Sequence, residues 1–166
     1  MPEIKEVLSS ELKAYKILVR KGFVEAEDSF RITPEDDKPE GFPTKNTKDS
    51  FTIGAYDGDQ LIGVASFRRE GENRRKLRHK GLLFRIYVDP NYRKQGLAGQ
   101  MIQEIIDRVK LLEDIEQINL TVIPTNAHAK KLYEKFGFVT YGSEKKAIKW
   151  KSRYFDEDQM QLMLRR

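Results

Sequence analysis

Residues 86–99 read Ile-Tyr-Val-Asp-Pro-Asn-Tyr-Arg-Lys-Gln-Gly-Leu-Ala-Gly, and they have the makings of an anion site. The apolar segment 82–88 reads as a strand that ends at Asp89-Pro90. A short basic turn follows, and it runs straight into Leu97, Met101, Ile102, Ile105, Ile106 and Val109 at helical spacing. The first N–H groups of a helix lack intrahelical acceptors, and the helix dipole places positive potential there. Gly96 and Gly99 carry no Cβ, so a diphosphate can approach the backbone closely, and Arg93 and Lys94 add charge. Taken alone, the same pattern fits an ordinary strand-to-helix turn equally well.

A second constellation lies at 126–138. Ala129, Leu132, Tyr133 and Phe136 fall at i, i+3, i+4 and i+7, Asn126 can cap that helix, and Gly137 can end it. Tyr133 is either a core tyrosine on the apolar face or a phenol able to donate a proton to a leaving group. Cysteine is absent, which excludes disulfides, thiolate metal sites and a cysteine nucleophile. His79 and His128 are too few and too far apart to suggest a metal centre, so no metal is expected. The chain has neither a Gly-x-x-x-x-Gly-Lys-Ser/Thr loop nor a Gly-x-Gly-x-x-Gly fingerprint.

The elements around these residues can be read in order. Residues 4–8 suggest a short strand. Ser9-Ser10-Glu11 can cap a helix with Leu12, Tyr15, Leu18 and Val19 on its apolar face, ending near Gly22. Residues 23–30 suggest a second short helix, and 33–49, with three prolines and many charges, a loop. Residues 51–56 and 61–67 flank Asp57-Gly58-Asp59 and read as a hairpin. Strand 82–88, helix 96–112, strand 115–122 with Ile118, Leu120 and Val122 on one face, helix 126–136, and strands 138–150 and 154–164 complete the chain. Strands precede, separate and follow the two clear helices, so an α/β domain with a mixed sheet is expected.

A chain of 166 residues is taken as one domain, 1–166, able to bury about 70% of its unfolded surface. Its 39% hydrophobic and 34% charged residues fit a soluble globular protein. With no long apolar run and no signal-peptide pattern, a cytoplasmic protein with no membrane partner is expected. The net charge of +5 favours an anionic partner. The densest basic run, residues 74–80, reads first as a solvated loop, with cofactor phosphate or nucleic acid as the alternatives. No aromatic platform accompanies it, so nucleic acid is not an expected partner.

Val88 to Ala98 resembles the acetyl-CoA signature of the GNAT N-acetyltransferases, Arg/Gln-x-x-Gly-x-Gly/Ala, filled here by Arg93, Gly96 and Ala98. Asn126, Ala129, Leu132-Tyr133 and Gly137-Phe138 resemble the family's Asn-x-x-Ala-x-x-Leu-Tyr-x-x-x-Gly-Phe pattern position for position. The two motifs cover residues 82–138, and the order of elements is similar from about residue 50 onward. The resemblance implies a single GNAT-type domain with a mixed, mostly antiparallel sheet flanked by helices. It implies acetyl transfer from acetyl-CoA to a primary amine of a small molecule or peptide, by direct attack in a ternary complex. It implies that the backbone of Ile86, Tyr87 and Val88 pairs with pantetheine. Arg93, Lys94, Gln95, Gly96, Leu97, Ala98 and Gly99 would then hold the diphosphate, and Asn126 would contact the cofactor. Tyr133 would be the general acid. Family members are often dimers, so the resemblance leaves a homodimer open.

One requirement is unmet. An alkyl amine has a pKa of about 10.4, so only about 1 in 2,500 is neutral at pH 7. Several family members carry a glutamate on the strand before the second helix, where this chain has Thr121, which cannot accept the proton. Glu70, Glu144 and Asp28 are candidates, and a water relay or capture of the rare neutral amine serves as well. A coenzyme A-binding sensor without turnover is therefore the rival reading. The segments that the resemblance gives to the acceptor, 20–50 and 141–158, hold Glu25, Glu27, Asp28, Glu35, Asp36, Asp37, Asp156, Glu157 and Asp158. These acids suit a cationic amine, or are simply a solvated acidic surface.

Overall fold

Two strands of the chain are apolar on both faces, and they sit where both faces are covered. In the computed structural model, which describes residues 1–164, β2 (Ser50–Asp57) is buried from Phe51 to Tyr56. β3 (Gln60–Arg69) is buried from Leu61 to Phe67. Helix α1 (Leu12–Glu25) covers one face and α2 (Leu97–Lys110) the other, so the usual alternation of apolar and polar residues disappears there. All six apolar residues of α2 named above are buried, as their spacing requires. They pack with Phe51, Ile53, Phe67, Ile118 and Leu120 in the larger core. Tyr15, Leu18, Val19 and Phe23 of α1 meet Tyr56, Leu61, Val64 and Tyr87 in the smaller one.

The other elements are β1 (Glu3–Val7), β4 (Lys80–Val88), β5 (Gln117–Val122), α3 (Ala127–Lys135), β6 (Val139–Trp150) and β7 (Arg153–Met163). They form one seven-stranded sheet in the order β1-β2-β3-β4-β5-β7-β6. Only β4 and β5 run parallel, and every other pair is antiparallel, so the sheet is mixed as expected. The parallel ladder covers three pairs, Lys80↔Gln117 to Leu82↔Asn119. Past Leu82, β4 stays paired with β3 alone, through Leu83↔Phe67, Phe84↔Ser66 and Tyr87↔Val64. Between the last two the register shifts by a bulge, and Arg85 there has φ +51°. Such a bulge bends a strand and strengthens its twist.

The N-terminal third departs from expectation. α1 does not stop at Gly22 but runs on to Glu25. Gly22 sits inside the helix because a Cβ there would lie 3.0 Å from the Tyr87 ring, and its absence lets α1 settle directly on β4. Residues 23–25 therefore complete α1, and only a single 3-10 turn, Glu27–Ser29, follows in place of a second helix. The N-terminus of α1 is capped not by a serine hydroxyl but by a 3-10 turn in which Leu8 N–H donates to Glu11 Oε2 at 2.9 Å. The stretch 33–49 is irregular apart from a turn at Pro34–Asp36, and it is anchored by Lys16 Nζ on both Asp37 carboxylate oxygens at 2.9 Å. Among the described residues no helix is long and apolar enough to cross a membrane.

Candidate active site

The turn after β4 is built from left-handed backbone conformations. Lys94 has φ +64° and Gly96 φ +75°, both left-handed, and a Cβ on Gly96 would meet nothing within 4 Å. Consecutive turns of this kind make a concave cluster of amides suited to anions. The first intrahelical bond of α2 runs from Gln100 N–H to the Gly96 carbonyl, which leaves Leu97, Ala98 and Gly99 without intrahelical acceptors. No acidic residue stands in that first turn to neutralise it. Lys94, Gln95 and Gly96 are exposed, while Ala98 and Gly99 are half-buried.

Arg93 is engaged with the protein itself. Its Nη1 and Nη2 donate to the two carboxylate oxygens of Glu25 at 3.0 and 2.9 Å, and its Nε donates to the Val88 carbonyl at 3.1 Å. The Tyr87 hydroxyl donates to the same Glu25 carboxylate at 2.9 Å. Burial by itself raises the pKa of Glu25, but the hydrogen bonds from Arg93 and Tyr87 bring it below the usual carboxylate value. Burial and the Glu25 carboxylate push the Tyr87 phenol upward. Next along the chain, Asp89 accepts from Lys21 Nζ at 2.7 Å and from Asn91 N–H at 2.9 Å. The last turns of α1 thus hold the end of β4 and the turn in place.

α3 lies alongside the turn. A Cβ on Gly99 would stand 3.8 Å from Leu132 and Phe136. Tyr133 is buried, with its ring 6.1 Å from that of Phe138, and burial pushes its phenol well above the ordinary tyrosine value. Asn126 Oδ1 accepts from Ala129 N–H at 3.2 Å, the cap its position suggested, and Nδ2 donates to Ser29 Oγ at 3.4 Å. Ile86 and Val88 pack toward the α2 core, and Tyr87 toward α1.

The opposite face of the sheet carries the polar side of β5. Ile118, Leu120 and Val122 are buried under α2, so Asn119 and the exposed Thr121 face the α1 side, with Gln159 opposite Thr121. Neighbouring residues of β7 confirm the two faces. Asp158 pairs with Lys130 of α3 at 2.6 Å, while Glu157 pairs with Arg31, in the segment after α1, at 3.1 Å. Glu157 is 3% exposed. Its sequence context of three successive acids hides this, and the only signal is that it shares a strand face with buried Phe155.

The other proton acceptors considered are scattered. Glu70 follows β3 and pairs with Lys80 at 3.9 Å, at the far end of β4 from the turn. Nine residues of strand, about 30 Å, separate the two ends. The basic run at 74–80 lies at that far end too, so contact of this run with a phosphate at the Gly96 turn is ruled out by geometry. Asp28 pairs with Arg153 at 3.3 Å, and its other oxygen is buried with no hydrogen-bond partner among the described residues. Glu144 lies on β6 opposite Glu157.

The sequence profile of the acetyltransferase (GNAT) family matches residues 14–138. The chain belongs to the GNAT acetyltransferase family. The spermine/spermidine N(1)-acetyltransferase of Bacillus subtilis is 29% identical over 87 residues, 52% of this chain and 57% of that protein. The L-amino acid N-acetyltransferase of Escherichia coli is 34% identical over 73 residues, 44% of this chain and 45% of that one. This GNAT chain therefore aligns with about half the length of the curated relatives it matches. Across 100% of this chain and 95% of its own, the Salmonella typhimurium protein yncA, solved with its cofactor acetyl-CoA, superposes with a TM-score of 0.83 at 15% identity. At that identity the likeness establishes the GNAT fold alone.

Proposed function

We propose that this GNAT protein transfers the acetyl group of acetyl-CoA to a primary amine of a small molecule or peptide by direct attack in a ternary complex. The observation that carries this reading is the junction where β4 leaves β5 after Leu82. There an open strand edge leads through the exposed residues 94–96 into an acid-free helix N-terminus. The residues fit the cofactor's chemistry. The free edge of β4 at Ile86, Tyr87 and Val88 offers backbone groups for the pantetheine amides, in the manner of an added strand. The amides of Lys94, Gln95, Gly96, Leu97, Ala98 and Gly99 would hold the diphosphate, with Lys94 supplying charge. Arg93 serves this site by clamping its frame to Glu25 and Val88. Asn126 caps α3 and adds a polar contact beside the cofactor.

Acetyl-CoA when bound supplies a thioester, whose carbon–sulfur bond breaks as the amine nitrogen bonds to the acetyl carbon. Tyr133 keeps its proton across the neutral range because burial disfavours phenolate. It therefore has a proton to give to a departing thiolate. The proton lost by the amine passes to solvent or to Glu157, the buried carboxylate on the acceptor side. A cytoplasmic setting goes with this reading, as the cofactor and the cysteine-free sequence suit it.

Calorimetric titration with acetyl-CoA, followed by thiol-release assays over polyamines, amino acids and peptides, tests the proposal. Binding with amine-dependent release is the expected result. Binding without release from any amine would favour a coenzyme A sensor, and absence of binding would overturn the site. For Y133F we expect turnover to fall by more than about tenfold with cofactor affinity nearly unchanged.

A further inference from the structure

The acids expected to greet a cationic acceptor are engaged within the protein. Seven of the nine stand in ion pairs: Glu25–Arg93, Glu27–Lys151, Asp28–Arg153, Asp37–Lys16, Asp156–Lys145, Glu157–Arg31 and Asp158–Lys130. Little negative charge is left over for a polycation. Arg85, half-buried on the α1 side of the sheet, is in the reverse position. Among the described residues it has no carboxylate partner.

Arg85 is also oddly placed for a surface charge. It occupies the β4 bulge with φ +51°, a conformation that an L side chain seldom adopts and that clusters at functional sites. It immediately precedes Ile86, the start of the strand edge assigned above to the cofactor. Its guanidinium lies 5.8 Å over the Phe23 ring and beside the Tyr15 hydroxyl, which is fully buried without a well-aligned hydrogen-bond partner. Phe30 packs edge-on against Phe23 at 5.1 Å, and Phe42 against Tyr15 at 5.2 Å, so the segment after α1 walls this corner with aromatic rings. A planar guanidinium matches a carboxylate, which accepts its two parallel N–H bonds.

We propose that Arg85 reads a carboxylate on the acceptor, so that the acceptor is an α-amino acid or another small amine bearing its own carboxylate. This rests on the acetyltransferase reading above. A carboxylate held at Arg85 brings an amine only a bond or two away to the edge of β4, while a polyamine would meet an uncompensated positive charge there.

The test is the kcat/KM of thiol release for L-amino acids, their amides, the corresponding decarboxylated amines and spermidine. Each acid is expected to exceed its amide by at least about tenfold, because the amide leaves the guanidinium without its ionic partner. In R85Q that acid-to-amide ratio should fall to near one, and R85K should restore part of it. Acetyl-CoA affinity of each variant verifies that the fold persists, and the wild-type ratio decides the matter if R85Q does not fold. Equal turnover of acid and amide, a preference for spermidine, or an equal loss on both substrates in R85Q would each overturn the proposal while leaving an acetyltransferase. No release from any amine would overturn the acetyltransferase reading and this inference with it.

Discussion

Tyr133 and Gly99 carry separable predictions because one acts through its proton and the other through its lack of a side chain. The Tyr133 phenol is raised by burial, so it stays protonated as pH rises through the range where amines lose their protons. If it is the general acid, turnover should climb with pH and show no falling limb up to about pH 10, the ordinary tyrosine value. A limb near pH 8 in the pH–rate profile would assign the acid elsewhere. Gly99 lies in the first turn of α2 with right-handed backbone, and a Cβ there makes only ordinary contact with Leu132 and Phe136. G99A should therefore raise stability by about 0.5–1 kcal/mol, since alanine outranks glycine in a helix. Its acetyl-CoA affinity should nevertheless fall, as a methyl group intrudes where the diphosphate is proposed to sit. Thermal melts with and without cofactor separate the two effects. G96A, by contrast, should lose stability, because alanine is strained at φ +75°.

At the scale of elements, α1 organises the acceptor side. Its Lys16 holds Asp37 at 2.9 Å and the Lys38 carbonyl at 2.8 Å, with both charged side chains nearly buried. Arg20 adds a weaker contact to Asp37 at 3.8 Å. K16M should cost about 2–4 kcal/mol, because it leaves a buried carboxylate with only a distant partner. Denaturant unfolding measures the loss, and hydrogen exchange should show amides in 33–44 opening first. The pattern of Leu12, Tyr15, Leu18 and Val19 was enough to place this helix. Its end was not readable, because a glycine near the end of an apolar pattern normally reads as a stop. Only the Tyr87 ring packed against Gly22 explains why the helix continues. The loop at 33–49 was readable as a loop from its prolines, but its ordering by Lys16 and Asp37 joins positions 21 apart and leaves no local trace.

Across the whole molecule, charge pairing sets the pH range of stability. Hydrogen bonding to Lys130 lowers Asp158 below the usual carboxylate value. Burial alone would raise Asp89 and Glu25, but Lys21 for the first, and Arg93 with Tyr87 for the second, bring both below it. A carboxyl lowered in the folded state adds stability above its unfolded pKa and loses it as pH falls through the folded one. The buried phenols of Tyr15 and Tyr133 are raised, so their effect runs the other way, present at neutral pH and lost as pH rises past about 10. The melting temperature should form a plateau between about pH 5 and 9 and fall on both sides. A melting temperature unchanged from pH 7 to pH 3 would show that these pairs contribute nothing measurable.

The sequence by itself determined the local pieces: the amphipathic α2 and α3, the strand before each, the glycine turn at 96 and both family motifs. Each of these is written in residues close along the chain, where periodicity and turn chemistry act directly. The tertiary structure alone decided where β4 and β5 stop pairing, that Arg93 is held by Glu25, and that Glu157 and Asp158 are buried while the adjacent Asp156 is not. It also decided that Arg85 is left without a carboxylate beside two aromatic rings. These facts depend on residues tens of positions apart meeting across a sheet. Whether a charge is spent or free is a property of its neighbours in space, and no spacing along the chain records it.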